Sequence, residues 1–120
     1  MSQIPNGTLP YYEAGIYLPM LLSILEKDHE LFERGDFKLK KPYLHLIDDT
    51  KQRVQQDLIK TKAYFHHNKM RLARGKSDDL FTEYHFYYAD VMECRRYSNI
   101  RLRNQSEKLL FKYLENHAVH

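Results

Sequence analysis

Glu26 and His29 form a Glu-x-x-His pair, the spacing that comes nearest to a metal-ligand pattern among the chain's seven histidines. In carboxylate-bridged di-metal bundles this spacing sets two ligands on one helical face. A dinuclear centre, however, wants two such pairs and two further glutamates. The chain offers one, with Glu26 at the margin of an apolar stripe. Glu26 and His29 are therefore an incomplete metal candidate, set against a histidine at a packing boundary with a hydrogen-bonding partner. His45 and Asp49 lie four apart and share a helical face in the same way. His66 and His67, adjacent and so about 100° apart on a helix, cannot chelate one ion together. On a helix Glu83 and His85 would point to different faces.

Nucleophilic chemistry finds little support. Cys94, the single cysteine, falls in an aromatic stripe and reads as a buried structural thiol; Arg95 and Arg96 would lower its pKa only if it were exposed. The serines lack the strand-turn-helix context of a nucleophile elbow. No glycine-rich phosphate loop is present. These absences predict a protein that is not an enzyme and needs no cofactor.

Charge is the more informative feature. A formal net charge of +3 conceals a balance of −4 over residues 1–37, +8 over 38–76 and −1 over 77–120. If one helix runs through the basic segment, Arg53, Lys60, His67, Arg71 and Arg74 fall on the face opposite its apolar stripe. Arg101 and Arg103 add a second cluster. Such a ridge could track a phosphate backbone, releasing condensed counterions, or meet an acidic protein surface. The alternative is a solvated face neutralised by the acidic first segment.

The tract Tyr84-His85-Phe86-Tyr87-Tyr88 is the densest aromatic patch. Read as helical, it buries Tyr84 and Tyr87 and leaves His85, Phe86 and Tyr88 either to a protein interface, where tyrosine's apolar body and polar tip are favoured, or to a core packed on several sides.

The elements that would carry these residues follow from the apolar spacing. Leu18, Leu22, Leu25, His29 and Phe32 repeat at intervals of four and three, predicting a first helix from about Pro10 to Gly35 with a kink at Pro19. Leu44, Ile47, Val54, Leu58, Phe65 and Leu72 predict a second from Tyr43 to Arg74, roughly 45 Å long at 1.5 Å per residue. Gly75 would end it, Ser77 would cap a third helix running to about Tyr97, and a fourth would begin near Asn104, the alternative being that the third and fourth form one long rod. The expected fold is all-α: a three- to four-helix bundle built on an antiparallel hairpin of helices 2 and 3. An extended arm (1–9), a single domain (10–117) and a tail (118–120) complete the layout. So long a second helix leaves apolar surface for a second copy, making a homodimer and a monomer equal alternatives.

A chain of 120 residues suffices for one core without disulfide or metal. The lone cysteine fits a reducing compartment. Its longest apolar stretch, Ile16–Leu25, is about half what a membrane span requires. A cytoplasmic protein without a membrane segment is expected. Taken together, the sequence predicts a non-enzymatic interaction or regulatory protein that self-associates or docks a protein partner. Nucleic-acid binding is the second reading and a metal-binding bundle the third. No small-molecule substrate is indicated.

Overall fold

The computed structural model describes residues 3–118, so residues 1–2 of the expected arm and 119–120 of the expected tail lie outside the described chain. Three helices and three strands follow in the order α1 (Leu9–Arg34), α2 (Lys40–His67), β1 (Met70–Ser77), β2 (Phe81–Tyr88), β3 (Val91–Ser98) and α3 (Asn99–Ala118). The all-α bundle is thereby corrected to an α+β fold. The predicted hairpin of helices 2 and 3 is replaced by a helix followed by an antiparallel meander, with strand order β1-β2-β3.

The change begins at Asn68. Its side-chain amide donates to the Tyr64 carbonyl at 2.9 Å, which closes α2, and Lys69 takes a left-handed φ of 54°. From Met70 onward the chain is extended. Phe81–Tyr88 is rich in aromatic and β-branched residues that suit a pleated, half-buried surface, and Thr82, Tyr84 and Phe86 alternate buried with their partly exposed neighbours. The period is two rather than 3.6. Gly75, expected to stop a helix, lies within β1, and Ser77, expected to cap one, ends that strand. The real turn former is Asp78. Its carboxylate accepts the N–H groups of Leu80 and Phe81, both at 2.8 Å, and these bonds hold its pKa below the usual carboxylate value. Ala89 and Asp90 join β2 to β3, with Ala89 at φ 52°.

The two long helices largely follow their expected courses. α1 runs unbroken through Pro19, whose ring is exposed, and ends at Gly35 in an extended rather than left-handed conformation. Gly15 lets α1 approach its neighbours, since a Cβ there would lie 3.0 Å from the Phe65 ring and 3.1 Å from Leu72. Leu18, Leu21 and Leu25 of α1 meet Ile47 and Val54 of α2 in one core cluster. A second cluster joins Tyr12 and Ile16 of α1 to the inner face of the sheet (Met70, Tyr84, Phe86, Tyr97) and to Leu102 of α3. Ile4 is buried there too, so this part of the arm is docked. α3 starts directly after β3, where the Ser98 hydroxyl accepts the Arg101 N–H at 3.1 Å. The molecule is elongated, 54 × 33 × 19 Å. No helix among the described residues is long and apolar enough to cross a membrane.

Candidate functional site

With α2 ending at His67, the expected cationic ridge has no single rod to sit on. Arg53 turns toward α3: one guanidinium nitrogen donates to the Tyr113 carbonyl at 2.6 Å, and the group lies 5.6 Å from that residue's ring. Lys60 and His67 remain exposed on α2. Arg71 moves to the outer face of the sheet, 4.2 Å above the Tyr87 ring. Arg101 borders a cleft along β3 with Glu13 and Glu93. Only Arg74 and Arg103, from β1 and α3, come to one place.

The expected interface set is divided in the same manner. Strand alternation puts Phe86 and Tyr88 on the inner face and His85 on the outer. Phe86 has no exposure and stacks on Tyr12 with ring centroids 4.5 Å apart. It is a core residue, so of the two alternatives for this position the exposed interface is set aside. Glu26 and His29 do not converge on a shared point. His29 bridges Glu33 at 3.6 Å and Asp48 at 3.3 Å through different ring nitrogens, while Glu26 pairs with Lys51 at 3.9 Å. They stitch α1 to α2. Cys94 is exposed, which corrects its expected burial. Among the described residues, the group able to hold a metal is a different one, Glu83, His85 and Cys94.

Arg74 and Arg103 rim a cleft of about 520 Å³ between α1, α3 and the open end of the sheet. Its walls are mainly apolar: Met20, Leu21 and Ile24 from α1, Leu102 and Leu110 from α3, and Tyr84 from β2. Ile24 is 40 % exposed, with no element among the described residues covering it. The volume falls in the range of ligand-sized pockets, about 300–1,000 Å³, which pair apolar walls with a few placed polar groups.

Those polar groups are ordered. The Thr82 hydroxyl donates to the Asn99 side-chain oxygen at 2.7 Å. With its proton so committed, Thr82 accepts from Ser77 at 2.9 Å. Ser77 in turn accepts from Arg74 at 3.3 Å. This relay holds the Arg74 guanidinium at the rim. Burial raises the Tyr84 pKa, with the Arg74 charge opposing it, so the phenol stays a neutral wall at physiological pH. Ser106, 2 % exposed, also lines the cleft, and among the described residues its hydroxyl meets no hydrogen-bond partner. A buried unpaired hydroxyl is costly and uncommon. Glu107 is the one acid among the described residues that line it.

Arg74 and Arg103 were recognisable as cations in the sequence, but nothing in their spacing joins them. Ser106, Thr82 and Asn99 carried no signal, being ordinary polar residues whose roles arise only when α3 folds back over the sheet end.

The family model described as YhjD protein matches residues 4–118. The chain belongs to the YhjD family. It is 33 % identical over 114 residues to the uncharacterized protein YhjD of Bacillus subtilis (strain 168), a match covering 95 % of each chain. The two YhjD-family proteins therefore align over nearly their whole lengths. No solved structure matches the chain.

Proposed function

We propose that this YhjD-family protein is a non-enzymatic binding protein, and that its cleft docks an acidic segment of a partner protein carrying a bulky apolar side chain. The observation that carries this reading is the pairing of Arg74 and Arg103 across apolar walls that also hold the unpaired Ser106 hydroxyl. An apolar side chain would cover Ile24 and Tyr84. A neighbouring carboxylate would reach the two guanidinium groups, whose planar donor forks suit it. A backbone or side-chain acceptor on the segment would satisfy Ser106. Residence in the cytoplasm belongs to the same reading: the exposed free thiol of Cys94 is stable where thiols are kept reduced.

A displayed peptide library selected on the wild-type protein tests this. Selection should return sequences with a large apolar residue close to Asp or Glu, and Arg74→Glu with Arg103→Glu should abolish their binding. Recovery of basic sequences, or of binders indifferent to the double reversal, would overturn the proposal. A second copy of the chain is the competing occupant. Sedimentation showing a dimer that the same reversal dissociates would favour it over a separate partner.

A further inference from the structure

The outer face of the sheet, opposite the cleft, brings together three unlike ligand groups. Alternation along β2 sets Glu83 and His85 on the same side, and the antiparallel register places Cys94 directly across from His85. A carboxylate oxygen, an imidazole nitrogen and the thiol sulfur lie within 4.8 Å of one another. Tetrahedral zinc needs such donors about 3.5 Å apart, so side-chain rotations moving them by about 1 Å complete the geometry.

Two further features keep the place open. Among the described residues, no hydrogen bond or ion pair engages these three side chains. Arg96, the cross-strand neighbour of Glu83, instead lays its guanidinium over the Phe81 ring at 4.0 Å. The adjacent backbone is bare as well: a Cβ on Gly75 would lie 2.9 Å from His85 Nε2 and 3.3 Å from Glu83 Cβ. Glycine at this position leaves the imidazole its room.

We propose that Cys94, His85 and Glu83 bind one zinc ion on this face. Thiolate and imidazole favour a borderline-soft ion over calcium or magnesium, which take oxygen donors. Three protein ligands leave a fourth position for water or for a group from another molecule. Binding forms the Zn–S bond as the Cys94 S–H bond breaks, and the proton passes to solvent. The ion ties β2 to β3 across their ladder.

Cobalt titration of the reduced, full-length protein tests the site, since cobalt reports its ligands by colour. One equivalent should give a thiolate-to-cobalt charge-transfer band and the intense visible bands of a tetrahedral ion, and zinc should displace both. Cys94→Ser should remove the charge-transfer band. His85→Ala and Glu83→Gln should weaken binding by more than about 100-fold, since even outer-shell partners of metal ligands are worth 10–100-fold. Gly75→Ala should weaken it by about tenfold, by crowding the His85 ring, while circular dichroism of all four variants stays that of the wild type. Equal affinity in His85→Ala would reduce the site to an exposed thiol and overturn the proposal. Tetrahedral cobalt binding that survives Cys94→Ser, or no saturable binding, would do the same.

Discussion

Phe86 lies flat against Tyr12, their rings 4.5 Å apart and within 7° of parallel, and neither side chain is exposed. This contact fixes the inner face of the sheet on α1. The Tyr12 hydroxyl then donates to the Tyr87 carbonyl at 2.6 Å, so the same residue holds β2 by its ring and by its polar end. Phe86→Ala should destabilise the protein by about 3–5 kcal/mol, as large aromatic truncations in a core do, measured by urea denaturation. Phe86→Glu should fail to fold. A folded monomer from that charged variant would contradict the packing.

Arg53 is a structural cation. Arg53→Ala removes the bond to the Tyr113 carbonyl and the contact with its ring. It should cost about 1–2 kcal/mol, the scale of one charge-assisted hydrogen bond with partial exposure. Lys60→Ala, two helical turns away and exposed, should change stability by less than about 0.5 kcal/mol. Chemical denaturation of the two variants side by side checks the contrast.

Alkaline pH should weaken the fold. Burial, and after it the neighbouring Tyr88 and Glu93, push the Tyr12 hydroxyl up to about 12. Burial and a bonded carboxylate raise Tyr97, through Glu13, and Tyr113, through Asp57, further. The unfolded chain loses these protons near pH 10 while the folded chain keeps them. The stabilisation is therefore complete below about pH 10 and is lost as pH rises toward the folded values. Urea midpoints should be lower at about pH 11 than at about pH 8, with the buried tyrosines ionising only as the protein unfolds.

The helices were legible because their apolar spacing is long. Leu18, Leu25, Ile47 and Val54 repeat over several turns, and each is buried where that spacing places it. The sheet was not, for three local reasons. Leu72 continues the seven-residue pattern of α2 by coincidence, although it belongs to β1. Phe81–Tyr88 is only eight residues long, and a short aromatic run satisfies either period. Both left-handed turns, at Lys69 and Ala89, are made without the glycine that usually marks them. The site suffered in consequence. Glu83 and His85 diverge on a helix and converge on a strand, and Arg74 reaches Arg103 only through the sheet.

The strain at one of those turns is measurable. Ala89→Gly removes a Cβ from a left-handed residue and should stabilise the protein by about 1 kcal/mol, read as a higher denaturant midpoint with the same slope.

Ser106 separates stability from binding. Its hydroxyl has no partner among the described residues, so Ser106→Ala should leave stability unchanged or raise it by about 1 kcal/mol, given the better helix propensity of alanine. Affinity for peptides selected on the cleft should fall. A loss of stability would mean that the hydroxyl is paired within the folded chain.

The cleft itself is tested most directly by two-dimensional NMR of the isotope-labelled protein, titrated with phenylbutyrate and, separately, with its cationic counterpart phenylbutylamine. The carboxylate should bind more tightly, and its shifts should gather on Ile24, Tyr84, Leu102, Arg103 and Ser106. Equal affinity for the two probes, or shifts that map elsewhere on the protein, would contradict a cleft built for an apolar group beside a carboxylate.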